Sequence, residues 1–276
     1  MGYHDFSVSM CVYRGDNPAH FREAVDSILN QTVPPTEIVL VEDGPVTEEL
    51  EYIIKEYESM PEIKVIRCLE NRGHGEARRI SMEQCKYDLI ALMDADDISL
   101  NNRFEKQLSC FESMPDLSVV GGHITEFVGE QKNVVGRREV PQDDVEIKDY
   151  LKARCPMNQV TVMFRKKDVE EVGGYLDWFC EEDYYLWARL CLANKKFYNV
   201  QEVLVNVRVG AEMYQRRGGW KYFKSEAKFQ KYLLSNKIIG IPRYVYNVVV
   251  RLGVQVLMPN WLRGFVYRRI ARKKGE

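Results

Sequence analysis

The stretch Leu89-Ile90-Ala91-Leu92-Met93-Asp94-Ala95-Asp96-Asp97 decides the fold of this chain of 276 residues. Its first five residues form a short apolar run, which is typical of a strand buried on both faces. Three carboxylates follow this apolar run within four positions. Such crowding of like charges is unfavourable unless a cation or hydrogen bonds offset it. The sequence therefore predicts a buried strand that ends in a ligand-binding acidic run.

The acidic run itself has two interpretations. Side chains alternate along a strand, so Asp94 and Asp96 can face one cavity with Ala95 between them. Mg²⁺ prefers oxygen ligands and takes one or two carboxylates together with substrate phosphates. The alternative is a solvated acidic turn in which Asp97 caps a helix that begins near residues 101–103. The apolar strand before the run favours the metal site.

Apolar runs alternate with amphipathic stretches on the N-terminal side of this strand. This alternation predicts an α/β fold with a mostly parallel sheet covered by helices on both sides. Ligands of such sheets bind at the carboxyl ends of the strands, where the polar clusters at residues 13–16, 42–44 and 94–97 fall. The predicted strands are 6–13, 37–42, 64–68 and 89–93, and the predicted helices are 19–30, 48–58 and 75–85.

The second half of the chain is more mixed and ends in a basic segment. We expect strands at 119–128 and 159–164, a helix at 181–192, and helical segments from about residue 218, broken at Pro242 and Pro259. Residues 215–276 contain 15 Lys and Arg against 2 Asp and Glu, whereas the whole chain has a net charge of −2. We therefore predict a domain at 1–214 and a basic helical extension at 215–276.

The extension contains an apolar stretch at 244–258 that is too short to cross a bilayer, which needs about 20 apolar residues. Lys and Arg follow it, and this pattern is typical of a helix that lies on an anionic membrane surface. We expect residues 242–274 to make that contact. The alternative is a helix that packs on the protein and has a solvated basic end. Nucleic acid is not the expected partner, because no known binding module accompanies the charge.

Composition places the chain among ordinary globular proteins, with 45% hydrophobic and 29% charged residues. Its seven cysteines form no Cys-x-x-Cys pair, which indicates reduced thiols in a reducing compartment. The first residues lack the basic and apolar segments of a secretory signal. These features predict a cytoplasmic protein.

A second acidic cluster, residues 181–183, lies at the start of the predicted helix 181–192. One interpretation is favourable pairing with the helix dipole, about 0.3–1 kcal/mol for each acid. The other is a general base that takes the proton of an attacking hydroxyl group. The neighbouring aromatic residues either line this site or belong to the core. Cys180 has no histidine nearby, so we expect a buried thiol and not a nucleophile.

Two weaker signals concern phosphate and metal binding. Residues 71–79 open a helix with two glycines and three arginines, which can hold a phosphate through backbone N–H groups and guanidinium charge. The four histidines, His4, His20, His74 and His123, lack metal-ligand spacing, and we predict no ligand among them.

Taken in order, these elements resemble glycosyltransferase family 2, the inverting enzymes with the GT-A fold, over about residues 6–209. The resemblance implies a Rossmann-like, mostly parallel central sheet flanked by helices. Glu42 departs from the family pattern, since it replaces the first Asp of an Asp-Asp-Gly turn. The matching elements are 7–13, Glu42-Asp43-Gly44, Asn71-Arg72-Gly73 with Ala77-Arg78, 94–97, Arg103 with Gln107, 172–175, and Glu182-Asp183 with Leu186 and Arg189.

The resemblance also implies how a nucleotide-sugar donor is bound. Val12 and Tyr13 would contact the nucleotide base, and Asp43 would accept a hydrogen bond from uracil. Arg78 would help to hold the nucleotide. Asp94 would lie near the ribose or support the metal.

On the same grounds, Asp96 would bind Mn²⁺ or Mg²⁺ on the diphosphate, and Asp183 would be the general base. Glu182 would lie beside Asp183 on the acceptor side, together with Asn158, which stands where many relatives have histidine. The Gln-x-x-Arg-Trp motif of the processive members is not present at 215–220. The resemblance therefore implies transfer of one sugar to a saccharide or a polyprenyl-diphosphate-linked acceptor, in the synthesis of surface polysaccharide.

Two other classes of protein share parts of this pattern. Asp94-x-Asp96 after an apolar strand also occurs in haloacid-dehalogenase-type phosphatases, but there it usually follows the first strand. A non-catalytic module that binds nucleotide sugars is the second alternative. The presence of both acidic clusters argues against that module.

Overall fold

A single sheet of nine strands runs through the residues that the computed structural model describes, 5–210 and 218–259. The strands are β1 (Phe6–Val12), β2 (Glu37–Glu42), β3 (Ile63–Arg67), β4 (Leu89–Met93), β5 (Ile98–Ser99), β6 (Leu117–Phe127), β7 (Val134–Arg138), β8 (Met163–Arg165) and β9 (Lys196–Arg208).

The strand order is β3-β2-β1-β4-β8-β6-β9-β5, and β7 pairs with β6. Strands β1 to β4 pair with one another in parallel, and β6 is parallel to β9. Strand β8 is antiparallel to both β4 and β6. Met10 is in register with Leu40 on one side and Met93 on the other, so β1, β2 and β4 end at the same edge of the sheet. This arrangement confirms the predicted α/β fold.

Nine α-helices surround the sheet within the described residues. Asn17 caps the first helix by accepting hydrogen bonds from two backbone N–H groups, and Thr47 caps the second. The helices are α1 (Pro18–Leu29), α2 (Glu48–Glu58), α3 (His74–Gln84), α4 (Arg103–Ser113), α5 (Asp144–Leu151), α6 (Lys166–Glu171), α7 (Glu182–Leu192), α8 (Trp220–Ser235) and α9 (Ile241–Leu252).

The helices cover both faces of the sheet, as the sequence predicts. One core contains Phe21 of α1, Ile54 of α2 and Phe104 of α4. The other contains Met82 of α3 and Trp187 of α7, together with residues of α5 and α8. Strand β4 has all five residues buried because it lies between the two cores.

The predicted strand 159–164 is only partly confirmed. Residues Gln159–Thr161 form a 3₁₀ turn, and the strand begins at Met163. The hydroxyl of Thr161 donates to the Asn158 carbonyl oxygen over 2.7 Å, and the backbone N–H of Thr161 donates to the same oxygen. These hydrogen bonds favour a turn over an extended chain.

Arg103 and Gln107, an element of the family pattern, hold the sheet together from within. The Arg103 guanidinium is fully buried and donates to the Leu92 carbonyl oxygen over 2.8 Å. The Gln107 amide donates to the carbonyl oxygens of Val120 and Thr161. Burial lowers the pKa of Arg103 to about 9. This pair therefore fixes the end of β4, from which the acidic run continues.

The C-terminal helices α8 and α9 pack on the rest of the protein. Trp178 and Tyr185 contact the ring of Tyr232 in α8, and Tyr184 packs on Phe229. Most of the aromatic residues near the second acidic cluster therefore belong to the core. This was one of the two predictions for them, and lining the site was the other. Among the described helices, none has the length and apolar character that a membrane span requires.

Candidate active site

The three carboxylates of the acidic run have different surroundings. Asp94 is half-buried and pairs with Arg78, and Asp96 is exposed. Asp97 is buried and accepts a hydrogen bond from the Arg208 backbone N–H over 2.8 Å. Burial and the nearby charges of Asp96 and Asp94 raise the pKa of Asp97 well above its usual range. Asp97 is therefore not a solvated helix cap, and α4 begins after Asn102.

Arg208, at the end of β9, holds the backbone of the acidic run. Its Nε atom donates to the Asp96 carbonyl oxygen over 3.1 Å, and Nη1 donates to the Gly129 carbonyl oxygen. Its Nη2 atom pairs with Glu23 of α1. Arg208 was not predicted as a site residue, because no local sequence pattern distinguishes an arginine at the end of a strand.

Asp16 is a further carboxylate near the run that the sequence analysis did not assign. Its Oδ2 atom accepts a hydrogen bond from the Tyr13 backbone N–H over 2.9 Å, which closes the turn after β1. Burial, assisted by the charges of Asp96 and Asp94, raises the pKa of Asp16 to about 6. The polar cluster at residues 13–16 could have identified Asp16 as a candidate, since it follows the end of a strand.

This concentration of negative charge fits a divalent cation. The described residues contain no group of three or more His, Cys, Asp or Glu side chains that could hold a metal ion. A cation bound here would therefore need further oxygen ligands from a substrate, as is usual for Mg²⁺ beside phosphates. Asp96 is the exposed carboxylate of the run.

Asp43 joins the end of β2 to the turn before α3. Its carboxylate accepts hydrogen bonds from the backbone N–H groups of Arg72, over 2.7 Å, and Gly73, over 3.1 Å. The Asn71 side chain donates to the Asp43 carbonyl oxygen. Gly44 has φ of +80°, and a Cβ atom there would lie 2.5 Å from the Asn71 nitrogen, so the turn requires glycine.

Val12 and Tyr13 lie at the same edge of the sheet as Asp43. The Asp43 backbone N–H donates to the Val12 carbonyl oxygen over 2.8 Å. Val12 is buried, whereas the ring of Tyr13 is exposed. The structure therefore brings together the three residues that the sequence analysis assigned to the nucleotide base.

Arg78 projects from α3 toward the acidic run. It is fully buried, and its Nη2 atom pairs with Asp94. Its Nη1 atom has no hydrogen-bond partner among the described residues. A buried guanidinium group with an unsatisfied donor fits a site that accepts an anionic ligand.

His74 connects the two acidic clusters. Its Nδ1 atom lies 3.1 Å from Oε1 of Glu182, and its Nε2 atom lies 4.0 Å from Oδ1 of Asp94. The Nε atom of Arg78 donates to His74 Nε2 over 3.3 Å. The clusters predicted from two distant parts of the sequence therefore face one cleft. His74 has no metal-ligand spacing in the sequence. The only pattern that could have identified it as a site residue is its position four residues before Arg78 on one helix.

Asp183 lies in the first turn of α7, next to Glu182. Its Oδ1 atom accepts a hydrogen bond from the Tyr184 backbone N–H over 2.6 Å. The N-terminal end of a helix stabilises negative charge. A partly buried carboxylate at this place can accept a proton from a bound hydroxyl group.

Glu181 belongs to a separate buried cluster behind the cleft. Burial and the neighbouring Glu226 of α8 raise the pKa of Glu181 well above its usual range. Arg251 of α9 pairs with Glu226 and donates to the Ala153 carbonyl oxygen. Helices α8 and α9 are therefore linked to Glu181, the residue immediately before Glu182 and Asp183.

Two other residues near this end of the cleft differ in exposure. Cys180 is exposed and has φ of +59°, so the prediction of a buried thiol was wrong. The turn into α7 points its side chain outward. Asn158 is buried and its amide donates to the Gly122 carbonyl oxygen over 2.8 Å, while its Oδ1 atom has no partner among the described residues.

Comparisons with known proteins agree with this geometry. The model of the family described as Glycosyl transferase family 2 matches residues 7–173. An uncharacterized glycosyltransferase of Haemophilus influenzae is 37% identical over 97% of this chain and 99% of its own length. The UDP-Gal:alpha-D-GlcNAc-diphosphoundecaprenol beta-1,3-galactosyltransferase of Escherichia coli is 34% identical over 97% of each chain.

A solved structure shows the same fold. The crystal structure of S. aureus TarS 1–349 in complex with UDP-GlcNAc aligns with a TM-score of 0.66 over 91% of this chain and 73% of that chain, at 16% identity. This similarity supports the fold alone, and it confirms the expected GT-A architecture. Since the family model covers more than half of the sequence and two relatives match nearly all of it, the chain belongs to glycosyl transferase family 2 and is a glycosyltransferase.

Proposed function

We propose that this protein is an inverting, metal-dependent glycosyltransferase that moves one sugar from a UDP-sugar to a saccharide or polyprenyl-diphosphate-linked acceptor in surface polysaccharide synthesis. One observation carries the proposal. The contacts from Asp94 through Arg78 and His74 to Glu182 support it, because they bring close together two acids that would serve the donor and the acceptor. Transfer of a sugar needs both kinds of group within reach of one anomeric carbon.

The donor side of the cleft suits a nucleoside diphosphate. Val12, Tyr13 and Asp43 lie at one sheet edge and would bind the base. Arg78 is fully buried and would help to hold the nucleotide through its charge and its ion pair with Asp94. The name of the Escherichia coli relative includes UDP-Gal, and the TarS structure contains UDP-GlcNAc. These names support UDP as the nucleotide.

Asp96 would bind Mn²⁺ or Mg²⁺, and Asp94 would support the site from its ion pair with Arg78. When bound, the cation neutralises the charge that develops on the departing nucleoside diphosphate. Burial first, and then the charges of Asp96 and Asp94, raise the pKa of Asp16, so the nearby carboxylates disfavour further negative charge here. A bound cation would offset this negative charge. These carboxylates therefore suit a cation both by their charge and as oxygen ligands.

Asp183 would act as the general base on the acceptor side. The acceptor hydroxyl oxygen forms a bond to the anomeric carbon while the bond to the diphosphate oxygen breaks. The hydroxyl proton passes to the Asp183 carboxylate. Attack on the face opposite the leaving group inverts the configuration. Glu182 and Asn158 would bind the acceptor beside this base.

The outer face of α9 would lie on an anionic membrane surface, where a lipid-linked acceptor is found. Ile241, Val245 and Val249 follow one another at helical spacing and are more than half exposed. Asn247 on the opposite side is buried against the protein. The apolar outer face and the following basic sequence favour binding to an anionic interface.

Location and domain limits follow as parts of the same proposal. The acceptor of the Escherichia coli relative is named as a diphosphoundecaprenol-linked sugar. We place the present protein in the cytoplasm, on the inner face of the cytoplasmic membrane. The division into residues 1–214 and 215–276 falls at a boundary outside the described residues. The predicted contact beyond residue 259 also lies outside them.

A transfer assay tests the function directly. Purified protein is incubated with a panel of UDP-, dTDP- and GDP-sugars, Mn²⁺ or Mg²⁺, and either a GlcNAc-diphosphate-lipid or a free saccharide. We expect one UDP-sugar to give a product only when the metal is present, with the anomeric configuration inverted in the NMR spectrum. Absence of transfer from every UDP-sugar, or a product with retained configuration, would show that the proposal is wrong.

A further inference from the structure

His74 is the first residue of α3, and its side chain lies where the N-terminal ends of α3 and α7 meet. A Cβ atom placed on Gly75 would lie 3.9 Å from Cβ of Glu182, so the two helices approach closely here. The His74 side chain is still 52% exposed. It therefore faces the cleft and is not simply part of the core.

The contacts of His74 determine which ring nitrogen carries the proton. Arg78 can only donate through Nε, so the His74 Nε2 atom 3.3 Å away must accept. In the neutral ring the proton is then on Nδ1, which donates to Oε1 of Glu182 over 3.1 Å. Arg78 in turn pairs with Asp94 through Nη2. The result is one hydrogen-bonded path with a defined direction.

Glu182 depends on this hydrogen bond. Burial acts to raise its pKa, but the hydrogen bonds from His74 and the backbone and the charge of Arg78 outweigh burial, and the pKa lies below its ordinary value. A carboxylate that accepts a directed hydrogen bond also has one preferred orientation. Without His74, the carboxylate would lose this orienting hydrogen bond, and burial would act more strongly in favour of the neutral form.

We propose that His74 is a positioning residue for the transfer reaction: it orients the Glu182 carboxylate toward the acceptor and links that carboxylate to the donor-side pair Arg78–Asp94. The inference rests on the function proposed above and adds a residue to it. A nucleotide sugar that fixes Arg78 would, through His74, also fix the acceptor-side acid. Binding of donor and acceptor is then coupled, and the coupling acts equally in both directions.

The test compares His74→Ala, His74→Asn, Glu182→Ala and the double variant His74→Ala/Glu182→Ala. We expect His74→Ala to lower kcat/KM for the acceptor by roughly 10- to 100-fold, the range for a hydrogen bond to a charged group. The affinity for UDP alone should change by no more than about twofold, because Arg78 keeps its ion pair with Asp94 when His74 is removed. Glu83→Ala, an exposed change on the same helix, is the matched control.

The variants separate positioning from a general structural role. In His74→Asn the side-chain N–H can replace Nδ1–H, so this variant should recover much of the lost activity. The double variant should be no worse than Glu182→Ala, since the two residues act on one path. Multiplied losses in the double variant, equal losses in the Asn and Ala variants, or a loss of UDP affinity as large as the loss in kcat/KM would overturn the proposal.

A spectroscopic measurement makes the outcome independent of activity. Nitrogen-15 NMR of the labelled wild-type protein should show the Nδ1–H tautomer for His74, and Glu182→Ala should increase the share of Nε2–H. An Nε2–H tautomer in the wild type would overturn the proposal whatever the assay shows. Wild-type protein that transfers no sugar counts against the proposed function, whereas an active wild type with an equally active His74→Ala variant counts only against this inference.

Discussion

The thiol sulfur of Cys155 lies 3.8 Å from Oδ2 of Asp183, so the carboxylate that we assign as the base has a weak hydrogen-bond donor beside it. Burial, together with the charge of Asp183, raises the pKa of Cys155 well above its usual range. The thiol therefore stays protonated at neutral pH. The Met157 carbonyl oxygen, 3.5 Å from the sulfur, is the alternative acceptor for the single S–H group.

We predict that Asp183→Asn lowers the rate of sugar transfer at least about 100-fold, because removal of a general base typically costs that much or more. Binding of UDP, measured by calorimetry, should remain close to that of the wild type, since Asp183 would act on the acceptor. Asp177→Asn, an exposed change just before the same helix, is the control. Wild-type turnover in Asp183→Asn would show that another group takes the proton.

Asp96→Ala should abolish the dependence of nucleotide binding on Mn²⁺, because it removes the carboxylate that would bind the ion. Thermal stabilisation by UDP is the measurement, with and without Mn²⁺. The exposed Asp116, on the connection before β6, provides the control change to alanine. Unchanged metal affinity in Asp96→Ala would exclude Asp96 as a ligand.

Asp16→Asn should stabilise the metal-free protein at neutral pH. The pKa of Asp16 is raised from 3.8 to about 6 in the fold, so the folded state binds the proton more tightly than the unfolded state. The free energy of unfolding therefore falls as the pH rises between these values and stays lower above them. After allowance for solvent screening, we expect a gain of about 1–2 kcal/mol at neutral pH.

The gain should shrink as the pH falls through about 6 and disappear well below 3.8, the pKa of the unfolded state, because Asp16 is then protonated in both states. Urea unfolding in the presence of EDTA at the two pH values measures the difference. Asp116→Asn should show no such dependence on pH. An equal gain at both pH values would mean that the carboxylate charge is not the cause.

Arg251→Met should destabilise the protein by roughly 3–5 kcal/mol, because it leaves a carboxylate buried without its partner. Glu226 is only 9% exposed at its side chain, and Glu181 lies beside it. Replacing both partners, in Arg251→Met/Glu226→Gln, should recover part of the loss. Chemical denaturation measures each variant, and Arg243→Met, an exposed change on α9, is the control. No loss in Arg251→Met would show that the pair does not anchor the C-terminal helices.

The double change Val245→Asp/Val249→Asp should weaken binding to vesicles that contain anionic lipid, by roughly 10-fold or more, since it puts two charges on the apolar face of α9. Vesicle co-sedimentation at several lipid concentrations gives the affinity. Leu69→Asp changes another exposed apolar side chain and should have no effect. Equal binding by the double variant would place the membrane contact elsewhere or exclude it.

Much of the fold was predictable because its signals are local. The apolar run Leu89–Met93, the acidic residues that follow it and the glycine after Asp43 each reflect a short-range requirement of burial, charge or backbone conformation. The limits of α2 were predicted without error, since Thr47 and the acids after it mark the start of a helix. The prediction failed for 159–161, where side-chain hydrogen bonds replaced the strand with a turn.

The sequence by itself therefore determined the α/β alternation and the chemical character of the two acidic clusters. Only the tertiary structure decided that His74 meets Glu182, 108 residues later, and that the Arg208 backbone holds Asp97, 111 residues before it. Periodicity and capping describe how a segment folds along its own axis. Contacts between distant segments depend on how strands pair and helices pack, and no local pattern contains that information.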